Sequence, residues 1–238
     1  MDRHRSSVNV LPVYDLTPFT LIDYPGRPAC IVWFSGCNMR CRYCHNPQIV
    51  RGNGRFNTAY VLDFLKKRQG LLEGVVLSGG EALVYGELID FVAQIKTMEY
   101  PIKLDTNGLY PEKIMLLHKQ GYLDFIALDY KAPPQKFRHV TQTVKYDSFS
   151  RTLDYLCKMM PGVFEVRTTV HTDLLNEEDL NAIINDLEHR SFTGIYTIQN
   201  FTESDGRATL DHMLPQTRII NKNLLNTPRN YRVIFRNF

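Results

Sequence analysis

The chain has 238 residues, 44% of them apolar, and a formal net charge of +3. That is ample for a packed core and too little charge to argue for nucleic acid, and no run of eighteen apolar residues is present to cross a membrane. The cysteine count of five is odd, and the opening "MDRHRSSVNV" lacks the apolar stretch of a secretory signal, so a cytoplasmic, reducing location is expected and structural disulfides are disfavoured.

Residues 29–34, "ACIVWF", are a short β-rich apolar run leading straight into "SGCNMRCRYCHNPQ", so the cysteine segment is expected to be a loop at a strand's C-terminal end. "TAYVLDFLKKR" (58–68) reads as helix, its "KKR" as a solvated face. There follow a strand "GVVLS" (74–78), a helix near 86–98, a strand "IKLDT" (102–106), a helix near 111–119 and a strand "DFIALD" (124–129). Residues 148–159 look helical, "FEVRTTVH" (164–171) extended, "NEEDLNAIINDLEH" (176–189) helical with an acidic first turn, and "IYTIQN" (195–200) extended.

Six strands alternating with helices predict an α/β fold with parallel pairing through right-handed crossovers, as a barrel or an open sheet. No Pro/Gly/Ser linker or internal repeat divides the chain, so residues 1–238 are expected to form one domain. Its core spans about 17–205; a less regular extension, 206–238, carries a candidate helix near 215–225 and a short strand "YRVIF".

In such folds ligands sit at the C-terminal ends of the strands, and there the informative residues collect: 37–44, "SGGE" (78–81), "DTNG" (105–108), "DYK" (129–131) and His171. The letters "CRYCH" also suit c-type haem, but haem leaves Cys37 unused. Zinc with Cys37, Cys41, Cys44 and His45 has the right number of ligands, yet adjacent side chains on a loop seldom converge on one tetrahedral ion. A redox dithiol leaves the third cysteine idle. A cluster of four irons and four sulfides takes one thiolate per iron, so three cysteines leave one iron open.

This CxxxCxxC loop after a first strand resembles the signature of the radical S-adenosylmethionine superfamily. The resemblance implies a [4Fe-4S] cluster on Cys37, Cys41 and Cys44, with S-adenosylmethionine chelated at the open iron and reductively cleaved to a 5'-deoxyadenosyl radical. It places Tyr43 near the adenine. "SGGE" resembles the family's GGE segment, so Gly79, Gly80 and Glu81 would receive the methionine ammonium; Ala82 stands where the family usually has proline. Alone, "SGGE" reads equally as a strand-to-helix turn.

"LDTNG" is similar to the DTNG of the activases of glycyl radical enzymes, which implies that Asp105, Thr106 and Asn107 lie beside the cofactor's carboxylate and a bound monovalent cation; an Asx turn is the plain alternative. By strand periodicity Ala127, Asp129 and Lys131 share one face, as do Arg167, Thr169 and His171. Either set could form a structural ion-pair network; the resemblance makes Asp129, Lys131, Arg167 and His171 cofactor or substrate contacts, with Gln199 a weaker candidate.

Residues 17–50, including "IDYPG" and "CHNPQ", are similar to the opening of the glycyl radical enzyme activases. Within them the chain most resembles the group acting on anaerobic ribonucleoside-triphosphate reductase, then the group acting on pyruvate formate-lyase. The inserted ferredoxin-like segment of longer activases is missing, and the isolated Cys30 and Cys157 read as apolar packing. The resemblance implies a partial (β/α)6 barrel of parallel strands with a lateral opening, a glycine loop of a partner enzyme as substrate, and a flavodoxin or ferredoxin type reductant. A small-molecule enzyme such as a deazaguanine synthase would share the first three motifs without "IDYPG" and "CHNPQ".

Overall fold

The computed structural model describes residues 11–202 and 209–238. Their strands form one eight-stranded sheet in chain order. Val13–Thr20 (β1) and Ala29–Phe34 (β2) pair antiparallel. From β2 onward every neighbour is parallel: Gly74–Gly79 (β3), Ile102–Thr106 (β4), Phe125–Asp129 (β5), Phe164–Val170 (β6), Ile195–Asn200 (β7) and Arg232–Arg236 (β8). The order ends at β1 and β8 without pairing them, so the sheet is an open, partial barrel.

The six expected strands are β2 to β7. β1 is an addition: its "VYDLTPFT" contains a proline and two irregularities in register, which hide the alternation of a strand. The tail strand appears as β8, one residue later than "YRVIF".

Helices return the chain between strands: Pro47–Arg51 (α1), Thr58–Lys66 (α2), Leu88–Lys96 (α3), Pro111–Lys119 (α4), Pro134–Thr141 (α5), Tyr146–Met159 (α6) and Glu177–His189 (α7). Asn57 caps α2 by accepting from Tyr60 N at 2.8 Å, and Asn176 with Asp179 forms a reciprocal capping box on α7. Proline in the first turn starts α1, α4 and α5, where its missing N–H has no intrahelical partner to lose.

The helix expected near 215–225 is absent; only the 3₁₀ turn Lys222–Leu224 forms there. This stretch is tied in extended form to α7, whose side chains accept the extension's backbone donors: Asn221 N to Glu177 Oε1 at 2.8 Å, Asn226 N to Asn181 Oδ1 at 2.7 Å and Arg229 N to Glu188 Oε1 at 2.9 Å. Asn221, the one of these donors inside 215–225, thus has its N–H satisfied by α7 without a helix. The expected boundary at 205/206 lies outside the described residues.

The two faces of the sheet differ in chemistry. Outward residues such as Val75, Leu77, Leu104, Ile126 and Val166 are fully buried in the main core beneath the helices. Inward, a separate floor of Tyr24, Ala29, Ile31 and Val76 is backed by Trp33 and Phe125. Tyr24 belongs to "IDYPG", so that motif closes the base of the barrel. Above this floor the inner face turns polar, through Lys103, Asp105, Asp129, Glu165, Arg167 and Thr169.

Candidate functional site

The loop after β2 is pinned at several points by backbone bonds. Arg40 N and Arg42 N donate to Thr141 O and Val140 O at the end of α5, both at 3.0 Å, and Cys44 N donates to Cys41 O at 3.0 Å. Glycine is required where β3 meets this loop. Gly79 has φ of +114°, and a Cβ there would lie 2.5 Å from Phe34 N and O; a Cβ on Gly80 would lie 1.9 Å from Gly36 O. The close approach lets Gly80 N and Glu81 N donate to Phe34 O and Gly36 O at 2.8 and 2.9 Å, locking the loop to the end of β3.

One cavity of about 870 Å³, its open mouth included, lies at this end of the barrel. Cys37, Cys41, Cys44 and Tyr43 form one wall. Gly79 and Gly80 follow from β3, Asp105, Thr106 and Asn107 from β4, Asp129 and Lys131 from β5, Arg167 and Thr169 from β6. The C-terminal ends of four neighbouring parallel strands thus meet in one space, with Asp105, Asp129, Arg167 and Thr169 directed there by strand alternation.

The cavity's charges hold one another ionised. Arg167 Nε donates to Asp129 Oδ1 at 3.1 Å and its Nη1 lies 3.5 Å from Asp105 Oδ2, while Lys131 Nζ lies 3.0 Å from Asp129 Oδ2. Burial pushes the Asp129 carboxyl upward, but Arg167 and Lys131 outweigh it and hold the group below its ordinary value. The same pairs keep Lys131 and Arg167 well above theirs against the pull of burial. Lys131 Nζ also sits 5.9 Å from the centre of the Tyr43 ring.

The thiols are pushed the other way. Burial raises Cys37 to about 11 and Cys41 to about 12, so a metal taking them as thiolates must displace protons. Among the described residues no three His, Cys, Asp or Glu side chains converge as ligands of a single ion. Thiols spread along a cavity wall fit a multi-iron cluster, in which each iron takes its own thiolate. Tyr43 Oη is buried at that wall and finds no hydrogen-bond partner among the described residues, which suits a ligand that brings one.

Three expected candidates lie outside the cavity lining. Glu81, 1% exposed, faces inward between β3 and β4: its carboxylate accepts from Thr106 Oγ1 at 3.1 Å, Asn107 N at 2.8 Å and Leu83 N at 3.2 Å. Burial pushes it up to about 7 against those donors. His171 follows the end of β6, where strand alternation no longer sets its direction; its Nε2 lies 3.0 Å from Leu214 O and its ring packs on Phe201. Gln199 sits beside Thr169 on β7, also outside the lining.

Several contributors were not singled out from the sequence. Lys103 is 2% exposed and ion-paired with Asp105; its signal was the period of two along "IKLDT", which puts both on one face. Ser78 donates to Asp105 Oδ2 at 3.0 Å. Asn38 accepts from Asn107 Nδ2 at 2.7 Å, and no local pattern marks it. By contrast His45, which the sequence offers as a zinc ligand, lines the cavity stacked on Phe201, with ring centres 4.5 Å apart; burial and then His171 hold its pKa down.

Comparison with known proteins gives three findings. The Radical SAM superfamily pattern matches residues 31–188. A Methanocaldococcus jannaschii protein with the provisional name glycyl-radical enzyme activating enzyme is 29% identical over 204 residues, 81% of each chain, and a 7-carboxy-7-deazaguanine synthase of the same organism is 24% identical over 185 residues, 69% of this chain and 72% of its own. Among solved structures, Streptococcus suis SuiB bound to the precursor peptide SuiA matches 86% of this chain with a TM-score of 0.65 and 12% identity. This chain spans about half the length of SuiB, 48%, and the likeness is one of fold.

Proposed function

This chain belongs to the Radical SAM superfamily, enzymes that work with a [4Fe-4S] cluster and S-adenosylmethionine, and from that premise we propose that it activates a glycyl radical enzyme. Cys37, Cys41 and Cys44 would hold three irons of the cluster, leaving the fourth without a protein ligand. When bound, the cluster and S-adenosylmethionine supply the one-electron chemistry that removes a hydrogen atom from a glycine Cα. The rest falls to the protein. The backbone of Gly79 and Gly80 and the side chains of Asp105, Thr106, Asp129, Lys131 and Arg167 orient the cofactor's amino acid end, and Tyr43 packs against the adenine. The substrate is a glycine loop of a partner enzyme entering the open barrel, where the missing side chain lets the Cα approach closely. The partner is anaerobic ribonucleoside-triphosphate reductase, the reductant is of the flavodoxin or ferredoxin type, and the setting is cytoplasmic; among the described residues no helix is long and apolar enough to cross a membrane.

The observation that carries this reading is that one cavity is lined at once by the three thiols and by the polar ends of β3 to β6. The M. jannaschii relative, matched over most of both chains, favours a protein substrate. The deazaguanine synthase relative supports a second reading, a small-molecule substrate. Anaerobic incubation of the reduced, reconstituted protein and S-adenosylmethionine with candidate glycyl radical enzymes, followed by electron paramagnetic resonance, separates the two. A glycyl radical doublet on the ribonucleotide reductase is expected. Cofactor cleavage that leaves every glycyl radical enzyme silent favours the second reading.

A further inference from the structure

Asn107 follows β4 directly, and its amide has only one orientation. Its Oδ1 accepts from Leu109 N at 3.2 Å, so Nδ2 must point the other way, toward the cysteine loop. There Nδ2 lies 2.7 Å from Asn38 Oδ1 and 3.9 Å from Cys37 Sγ, one partner for each of its hydrogens. The same sulfur receives the backbone N–H of Met39 at 3.4 Å. The only other bond recorded at a cluster-loop thiol among the described residues is from Cys41 Sγ to Met39 Sδ at 3.8 Å, besides the Cys37 thiol's own contact with Asn38.

Behind Asn107 stands Glu81. It accepts the Asn107 N–H at 2.8 Å, and both of its oxygens lie 3.1 Å from Thr106 Oγ1, whose own oxygen accepts from Gly108 N at 3.1 Å. The turn that carries the Asn107 side chain is therefore tied, residue by residue, to one buried carboxylate. Nothing in this chain of bonds requires Glu81 to reach the cavity, which it does not line.

We propose that Asn107 and Glu81 are positioning residues for one cysteine: the Asn107 amide donates to the Cys37 sulfur, Glu81 holds the turn that aims it, and together they set the reduction potential of the cluster. The proposal rests on the cluster assignment given above. A hydrogen bond to a ligand sulfur draws charge from it and favours the reduced, more negative state of the cluster, so its loss makes reduction harder. Glu81 acts through Asn107, and its own charge also bears on the Cys37 sulfur.

The test compares wild type, Asn107→Leu, Glu81→Gln and the double variant, reconstituted anaerobically without S-adenosylmethionine. Iron and sulfide are assayed first, and redox titration follows. About four irons in wild type are expected; a wild type that takes up none removes the cluster assignment itself, separately from this proposal. Asn107→Leu keeps the size of the side chain without the donor, and should disfavour one-electron reduction about tenfold, a midpoint lower by about 59 mV. Glu81→Gln should shift the midpoint by less than Asn107→Leu, because loosening the turn lowers it while loss of the charge that bears on Cys37 raises it, and the double variant should go no lower than Asn107→Leu. If Asn107→Leu does not fold, Asn107→Ser, whose hydroxyl is too short to reach the sulfur, carries the same measurement. An unchanged midpoint in a fully loaded Asn107 variant overturns the proposal. So does a Glu81→Gln variant that keeps the wild-type midpoint but loses affinity for S-adenosylmethionine, since that is the behaviour of a cofactor contact.

Discussion

Arg167 and Asp129 are register partners on β6 and β5, and the guanidinium Nε of one lies 3.1 Å from the carboxylate Oδ1 of the other. Arg167 also reaches Asp105 on β4 at 3.5 Å, so a single cation ties three strands across the polar face of the barrel. Replacing it by methionine preserves bulk and leaves each carboxylate one counterion, Lys103 for Asp105 and Lys131 for Asp129. Arg167→Met should destabilise the apoprotein by about 1.5 to 3 kcal/mol in denaturant unfolding, the range for losing hydrogen bonds between charged groups. A loss below about 1 kcal/mol would mean that the pair is solvated like a surface bridge.

The cysteines fall into two sets by position. Cys37, Cys41 and Cys44 face the cavity, whereas Cys30 is buried on the outer face of β2 and Cys157 lies on α6. Alanine at any of the first three should abolish cofactor cleavage and lower the iron taken up on reconstitution. Cys30→Ala and Cys157→Ala should keep both. Equal iron loss at Cys30 would show that the ligand set has been drawn wrongly.

His171 joins the end of β6 to the extension through its 3.0 Å contact with Leu214 O. His171→Ala opens a space beside Phe201 and leaves that carbonyl without its partner, so a loss of about 2 to 3 kcal/mol is expected. Faster proteolysis in 209–220 should accompany it, with the affinity of the reconstituted protein for S-adenosylmethionine unchanged. A drop in affinity with unaltered proteolysis would return His171 to the cofactor site.

Glu177 at the start of α7 accepts from Arg218 at 2.9 Å and from Asn221 N at 2.8 Å. Arg218 and then the Asn221 N–H hold its carboxyl at about 2 against an ordinary 4.5, although burial opposes them. The folded value lies below the unfolded one, so the stabilisation is complete above about pH 4.5 and is lost as pH falls toward 2. Because Arg218 is exposed to solvent, screening reduces it to about 1 kcal/mol. Glu177→Gln should therefore unfold about 1 kcal/mol more easily at pH 7, and the two curves should meet near the bottom of that window.

Local order could be read from the residues because it depends on neighbours in the chain. The alternation of apolar runs with amphipathic stretches located β2 to β7 and most of the helices, and the spacing of Cys37, Cys41 and Cys44 marked the loop. Periodicity of two was also enough to put Asp129 with Lys131, and Arg167 with Thr169, on a common face. It was uninformative at Glu81, Asn107 and His171, which follow strand ends and whose side-chain direction is set by whatever the next loop packs against. Glu81 and Asn107 illustrate this: both follow strands, and only their three-dimensional surroundings turn the carboxylate toward three donors between β3 and β4 and the amide toward Cys37. The extension followed the same rule in reverse, since the acceptors on α7 that keep 215–225 extended are some forty residues away in the chain. Spacing along a chain reports which groups are available; which of them meet is decided by the burial and hydrogen bonding of the folded whole.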